Sequence, residues 1–218
     1  MLKINEIFDT IQGEANYTGT PATFIRLQGC PVGCEWCDTK HTWSSGNEKS
    51  RIPILEMLTK EKDSPKWAEI EEEKLVQIVE NLKPRHFVIT GGEPCTQDIF
   101  KLTRLLARLG TVQVETSGTQ TINVYHKTWV TVSPKIDMIG GLNVLNSAIL
   151  RANELKMPIN GLKDVKNLQK LLKNSSSKCQ VWLQPISQKQ ENTDLCVKSA
   201  KDNNWRVSIQ THKYMGVR

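Results

Sequence analysis

Short apolar runs rich in β-branched residues alternate along this chain with stretches of helical periodicity. The runs predict six strands, at residues 22–27, 86–90, 111–115, 128–132, 179–183 and 205–209. Apolar positions three and four residues apart predict helices at residues 52–59, 71–82, 98–109, 142–156, 165–173 and 193–202. Strands that alternate with helices favour an α/β fold with a mainly parallel sheet and crossover helices.

The alternation continues along the whole chain without a linker, a repeat or a low-complexity stretch. Polar, breaker-rich insertions are short and lie at residues 44–50 and 60–66. A chain of 218 residues is long enough to bury a core without disulfides. We therefore predict one domain over residues 1–218, with an N-terminal extension of about residues 1–21 that contributes a short strand or hairpin.

Composition and charge limit the classes of protein to which this chain can belong. Apolar residues make up 38% of the chain, and no run approaches the ~20 residues that cross a bilayer, so we expect no membrane span. Residues 151–218 carry 13 Lys/Arg against 5 Asp/Glu, which places the basic surplus in the last third. Lysines there recur at helical spacing beside leucines, which favours a solvated helix face over an RNA-binding surface. We expect no direct nucleic-acid partner.

Three cysteines within eight residues are the strongest chemical signal. Cys30, Cys34 and Cys37 have the spacing Cys-x3-Cys-x2-Cys, and three thiolates on an iron-sulfur cube leave one iron open to a substrate or cofactor. A zinc site completed by His41 is an alternative. A fourth thiolate from Cys95 would instead close the cluster and make an electron carrier. No signal segment precedes the loop, so we expect free thiols in a reducing cytoplasm.

A polar cluster follows each predicted strand. These clusters lie at residues 28–30, 91–94, 116–118, 133–135, 184–187 and 210–212. Ligands bind at the carboxyl ends of parallel strands, where such loops converge. This convergence favours a cofactor site over structural zinc. Gly91 and Gly92 allow a close backbone approach to a ligand, and Glu93 beside them is a candidate acceptor for a cationic amino group.

The cysteine motif with Trp36 before its last cysteine, together with residues 91–94, resembles the radical S-adenosylmethionine (SAM) superfamily. Further stretches resemble the 7-carboxy-7-deazaguanine synthase family over essentially the whole chain. They are residues 8–14, 24–30, 37–43, 114–118, 131–135, 183–185 and 210–213. The resemblance implies an incomplete TIM-like β/α barrel of about six mainly parallel strands.

The resemblance also implies an activity and its cofactors. The family converts 6-carboxy-5,6,7,8-tetrahydropterin to 7-carboxy-7-deazaguanine with loss of ammonia, on the route to queuosine and related 7-deazapurines. A 4Fe-4S cluster, SAM and Mg²⁺ are implied, with hydrogen abstraction at pterin C6 followed by ring contraction. An electron donor such as flavodoxin and a homodimer are expected.

The resemblance also implies a role for individual residues at matching positions. It assigns the reaction itself to the cofactor and not to a catalytic side chain. The metal ligands are Cys30, Cys34 and Cys37 for the cluster and Thr39 for Mg²⁺. The SAM site takes Trp36, Cys37, Asp38, Gly92, Ser133, Pro134, Lys135 and Gln184. The pterin site takes Ile11, Gln12, Gly13, Glu14, Arg26, Thr90, His212 and Arg218. By charge alone Asp38 is the more obvious Mg²⁺ ligand, so the choice of Thr39 comes only from the resemblance.

Two other classes of function stay open at this point. One is a radical SAM activase that makes a glycyl radical on a partner protein, for which Arg26 and residues 12–14 would have no use. The other is a non-catalytic metal-binding or RNA-binding module. Iron and sulfide would indicate an enzyme, whereas zinc in a colourless protein would indicate the module.

Overall fold

A computed structural model describes residues 1–44 and 48–217. Nine strands form one sheet. They are β1 (Leu2–Ile11), β2 (Pro21–Leu27), β3 (Ala68–Ile70), β4 (His86–Gly91), β5 (Thr111–Thr116), β6 (Trp129–Val132), β7 (Glu154–Ile159), β8 (Gln180–Pro185) and β9 (Arg206–Val207). The helices are α1 (Ile54–Thr59), α2 (Glu72–Val79), α3 (Phe100–Leu106), α4 (Asn146–Arg151), α5 (Leu162–Leu172), α6 (Gln190–Asn203) and α7 (Thr211–Met215).

The strand order is β3-β1-β2-β4-β5-β6-β7-β8-β9. From β2 to β9 all neighbours are parallel, whereas β1 runs antiparallel to both β2 and β3. Because β3 and β9 are edges that do not pair with each other, the sheet stays open. The predicted incomplete, mainly parallel barrel is thus confirmed, with one more parallel strand than the sequence indicated.

The predicted helix at residues 142–156 is wrong in its second half. Helix α4 ends at Arg151, and the chain then enters strand β7. Four consecutive residues of that strand, from Glu154 to Met157, are at most 4% exposed. Their alternation of polar and apolar residues is typical of a strand. Because Glu and Lys are rarely buried, however, the same residues suggest the solvent-exposed face of a helix.

The N-terminal strand β1 pairs with β2 as far as Leu27, shortly before the cysteine loop. An irregularity in the register falls between Ile4 and Glu6, and the side chain of Asn5 at this point donates to the Oε1 atom of Gln28 at 2.8 Å. Gln28 follows β2 directly and leads into the cysteine loop. The pairing therefore supports the start of that loop.

Apolar faces of the helices and the sheet share one core. Leu75 of α2, Leu102 of α3 and Leu168 of α5 are fully buried against strand residues such as Ile89 and Leu155. Within the described part of the chain, no helix is long and apolar enough to span a membrane. The polar clusters predicted at the strand ends lie beyond this core, where they line a pocket.

Candidate active site

One pocket collects the residues that the sequence predicts for the site. From the predicted set it is lined by Ile11, Gln12, Gly13, Glu14, Arg26, Cys30, Cys34, Trp36, Cys37, Asp38, Thr39, Thr90, Gly92, Ser133, Lys135, Gln184 and His212. Pro134 is buried behind this lining. Arg218 lies outside the described residues. The strand order places these side chains together because parallel strands end at the same edge of the sheet.

The cysteine loop leaves β2 and is held on two sides. Gly29 donates its N–H to the carbonyl of Thr42 at 2.7 Å, and Cys30 donates to the carbonyl of Trp43 at 3.0 Å. On the other side, Gly140 donates to the carbonyl of Val32 at 3.0 Å. These backbone contacts hold the loop in shape without using any of the three thiols.

The three thiols suit a cluster better than a single metal ion. All three are free, and burial raises the pKa of Cys30 to about 11 in the absence of a metal. A tetrahedral zinc with Zn–S bonds of 2.3 Å would bring its sulfurs to about 3.8 Å from one another. Among the described residues, only Glu6, His41 and Asp63 place three ligand atoms within 4.8 Å of each other. The sulfurs are thus spread more widely than zinc requires, as expected where each binds a different iron.

The two alternative fourth ligands are engaged elsewhere. The Nε2 atom of His41 lies 3.3 Å from the Oε1 atom of Glu6. Cys95 lies in a helical turn outside the pocket lining, packs against the core, and has its pKa raised by burial to about 12. Neither the zinc site with His41 nor the four-thiolate cluster with Cys95 is supported by these positions.

The glycine pair after β4 lies directly against the cysteine loop. A Cβ atom on Gly91, whose φ is 129°, would come within 2.3 Å of the backbone nitrogen of Leu27. A Cβ atom on Gly92 would come within 2.1 Å of the carbonyl oxygen of Gly29. The Glu93 N–H donates to that same carbonyl at 2.8 Å. Both glycines are therefore required by the close approach of two backbones.

Glu93 has a structural role that differs from the sequence prediction. Its carboxylate is 1% exposed and accepts from Thr116 Oγ1 at 2.6 Å, from the Cys95 N–H at 3.0 Å and from the Ser117 N–H at 2.7 Å. The Ser117 hydroxyl also donates to it. These four donors tie the glycine turn to the end of β5, so the carboxylate holds the turn in place where it lines the pocket.

Arg26 reaches into the pocket from β2. Its Nε atom lies 3.3 Å from the Oε1 atom of Glu6, and its guanidinium lies 5.6 Å from the centre of the Phe8 ring. Its Nε has no hydrogen-bond partner in the described structure. Among the described residues, Glu6 is the only carboxylate in ion-pair contact with it. Arg26 lines the pocket, and a guanidinium is well suited to bind a carboxylate.

A buried ammonium between two carboxylates was not predicted from the sequence. Lys156 of β7 is 4% exposed, forms an ion pair with Glu14, and lies 3.4 Å from the Oε2 atom of Glu115. Burial alone would raise the pKa of Glu14, but the charge and hydrogen bond of Lys156 and a bond from Gln210 hold it at about 2. Reading residues 154–157 as a strand would have placed Lys156 in the pocket.

Other predicted residues reach the pocket from its remaining sides. Lys135 donates to the hydroxyl of Ser133 at 2.6 Å, and burial lowers the pKa of its ammonium. A Cβ atom on Gly13 would come within 2.2 Å of the Nδ1 atom of His212, so α7 packs tightly over the end of β1. Thr39 donates its N–H to the sulfur of Cys37 at 3.4 Å, which places its hydroxyl at the edge of the cluster loop.

Comparisons with known proteins agree with this geometry. The family model of the radical SAM superfamily matches residues 24–138. The 7-carboxy-7-deazaguanine synthase of Escherichia coli K12 is 48% identical over 98% of both chains, and that of Buchnera aphidicola subsp. Schizaphis graminum is 44% identical over 99% of this chain and 98% of its own.

A solved structure is also similar. The crystal structure of QueE from Escherichia coli superposes with a TM-score of 0.92 at 47% identity, covering 96% of this chain and 93% of that one. The match therefore extends well beyond the cysteine loop and includes the strands that supply the rest of the pocket. From this full-length similarity, the chain belongs to the 7-carboxy-7-deazaguanine synthase family of radical SAM enzymes.

Proposed function

We propose that this protein converts 6-carboxy-5,6,7,8-tetrahydropterin to 7-carboxy-7-deazaguanine with loss of ammonia, in queuosine biosynthesis. The observation that carries the proposal is one pocket lined both by the cysteine loop and by Arg26 with residues 12–14. A glycyl-radical activase would need a docking surface instead of this polar wall. The family to which the chain belongs, and its full-length relatives, also support the synthase.

The cysteine side of the pocket would hold the cofactors. Cys30, Cys34 and Cys37 fit a 4Fe-4S cluster, and Gly92, packed against the start of the cysteine loop, lines the same pocket where SAM would lie. When bound, the cluster and SAM supply the radical that takes hydrogen from pterin C6. Lys135 is oriented by its bond to Ser133 and suits ribose or carboxylate oxygens of SAM, and Gln184, whose amide donates to Glu14 at 3.4 Å, lines the same pocket.

The opposite side of the pocket would orient the pterin. Arg26 would bind the C6 carboxylate, so the carbon that bears it is directed toward the cofactor side. Glu14 and Glu115 present carboxylates that can accept from the N–H groups of the pterin ring. His212, packed tightly against Gly13, lines the pocket beside these groups. The protein thus contributes mainly position and shielding.

Anaerobic reconstitution with iron, sulfide, reductant, SAM and carboxytetrahydropterin tests the proposal. We expect a deazaguanine product and release of ammonia. With deuterium at pterin C6, the label should appear in SAM or in 5′-deoxyadenosine, since hydrogen is removed from that carbon. Deuterium that never enters either molecule during turnover would contradict abstraction at C6.

Replacing Arg26 with glutamine should raise KM for the pterin about 10- to 100-fold, because a charged hydrogen bond is worth about 1.5–3 kcal/mol. Steady-state kinetics at saturating SAM would measure it. Arg206→Gln is the matched control, since Arg206 also lies over an aromatic ring, that of Trp182 at 5.1 Å, but outside the pocket. An equal rise in KM in both variants would argue against a carboxylate contact by Arg26.

We also propose Thr39 as the Mg²⁺ ligand, supported by its place in the pocket beside Cys37. One protein hydroxyl completed by substrate and water is ordinary for Mg²⁺. Thr39→Val should raise the Mg²⁺ concentration for half-maximal turnover at least about tenfold, because a direct oxygen ligand is lost and even residues that only support ligands contribute ~10–100-fold. Asp38→Asn is the comparison, because Asp38 is the neighbouring charged candidate. A larger effect of Asp38→Asn would transfer the role to Asp38.

The remaining partners follow from the same proposal. Reduction of the cluster requires a one-electron donor, for which flavodoxin is our prediction. We predict a homodimer, which light scattering of the purified protein would test. A cytoplasmic location is predicted because the cluster needs reduced thiols.

A further inference from the structure

Lys156 has no role yet in the proposed reaction, although it lies in the wall of the pocket. Its strand, β7, brings it between Glu14 at the end of β1 and Glu115 in β5. Both carboxylates also line the pocket. The three side chains come from parts of the sequence far apart and meet only because β7 lies inside the sheet.

The charged groups around Lys156 determine its protonation state. Burial by itself would lower the pKa of Lys156, but Glu115, Glu14 and Glu154 together raise it, so the side chain is an ammonium. Burial raises the pKa of Glu154, which lies deeper in the same strand and accepts from the Thr131 hydroxyl at 2.6 Å. The nearby cations are Lys135, after β6, and His212 in α7 when it is protonated. Without Lys156, the carboxylates of Glu14 and Glu115, which are 13% and 19% exposed, would lie near each other with no cation between them, and one would take up a proton.

Each carboxylate keeps acceptor capacity for a ligand. Glu115 accepts through Oε1 from the amides of Gln12 at 3.0 Å and Gln113 at 3.4 Å, while Lys156 lies 3.4 Å from Oε2. Glu14 accepts through Oε1 from Gln210 at 2.8 Å and Gln184 at 3.4 Å, and from Lys156 through Oε2. A carboxylate offers about four acceptor positions, so each keeps about one, on Oε2. Adjacent N–H donors, such as those on the 2-amino-4-oxopyrimidine edge of a pterin, are the groups that two such carboxylates bind.

We infer that Lys156 is a positioning residue that holds Glu14 and Glu115 side by side as carboxylates, so that they bind the aminopyrimidinone edge of the substrate. The inference rests on the proposed function, because it needs a pterin in this pocket. Lys156 itself is not assigned to the reacting atoms. Its effect should therefore fall on binding and on the dependence of binding on pH.

The probe is oxidised pterin-6-carboxylate, which is fluorescent and carries no hydrogen at C6 to be abstracted. Its Kd would be measured with native protein and with Lys156→Met from about pH 5.5 to about pH 7.5. We expect binding to Lys156→Met to be about 10- to 100-fold weaker at the acid end, where a carboxylate with a raised pKa is protonated. The difference should shrink as the pH rises. Dividing the Kd of Lys156→Met by the Kd of native protein at each pH cancels any effect of the ligand's own titration.

Two further variants sharpen the test. Lys156→Arg keeps the charge and should give a ratio nearly independent of pH. Lys163→Met is the matched control, because Lys163 also pairs with one carboxylate, Asp137 at 2.7 Å, but is exposed and outside the pocket. If Lys156→Met does not fold, Lys156→Gln replaces it and carries the same expectation.

A ratio that stays constant with pH, or unchanged binding in Lys156→Met, would overturn the inference. Adding Glu115→Gln to Lys156→Met should weaken acid-end binding by less than the single change Glu115→Gln does in native protein, because one carboxylate is already protonated. Failure of the proposed function looks different. In that case the native protein itself would neither bind pterin-6-carboxylate nor convert carboxytetrahydropterin.

Discussion

Cys34→Ala should abolish turnover and leave the reconstituted protein with little bound iron. Cys34 is the middle ligand of the loop and is buried at the pocket, so no solvent thiol can easily replace it. Loss of a direct ligand should exceed the ~10–100-fold loss of metal affinity or activity typical of residues that only support ligands. Iron and sulfide content, visible absorption and product formation under anaerobic conditions would measure the effect.

Cys179→Ala is the control for this change. Cys179 is also a free, half-buried thiol, but it precedes β8 and packs against the core away from the pocket. We expect it to keep native iron content and native turnover. Full iron loading of Cys34→Ala, or equal loss of iron in both variants, would show that the three-cysteine loop is not the cluster site.

Gly92→Ala should destabilise the cysteine loop and strongly reduce cluster loading and turnover together. Its Cβ atom would lie 2.1 Å from the carbonyl oxygen of Gly29 and 3.1 Å from the Cβ atom of Cys30. Since the first contact is with backbone, the loop itself must move. Overpacking of this kind costs about 1–3 kcal/mol. Thermal unfolding of the protein before and after reconstitution would report the loss, together with its iron content.

Gly161→Ala is the matched control, because a Cβ atom there meets nothing within 4 Å and the backbone is extended, with φ at 176°. It should unfold and load iron as the native protein does. If Gly92→Ala also behaved like native protein, the close approach of the glycine turn to the cysteine loop would not matter for cluster binding.

Much of the fold followed from local patterns. Strands β2, β4, β5, β6 and β8 lie within a few residues of their predicted positions, because buried parallel strands are nearly continuous apolar runs. Strand β7 was not predicted because Glu154 and Lys156 interrupt its apolar pattern. Both side chains are buried by partners distant in sequence, Thr131 for Glu154 and Glu14 for Lys156.

For the candidate site too, some features were predictable from the sequence and others were not. The ligand set Cys30, Cys34 and Cys37 is readable from the sequence because its members are close neighbours on one loop. The separate role of Glu93 is not, since the donors from Thr116 and Ser117 belong to the next strand end. His41 is similar: its spacing fits a zinc ligand, but in the fold it lies beside Glu6.

By itself, the sequence determined the class of this enzyme, its cluster loop and the parallel order of most strands, since these depend on spacing and periodicity along the chain. Only the tertiary structure decided which charges meet in the pocket. Arg26 with Glu6, and Lys156 with Glu14 and Glu115, are pairs made across strands. For Glu14 and Lys156, burial disfavours both charged forms and the partner charge restores them, and which partners meet depends on packing that no local sequence pattern records.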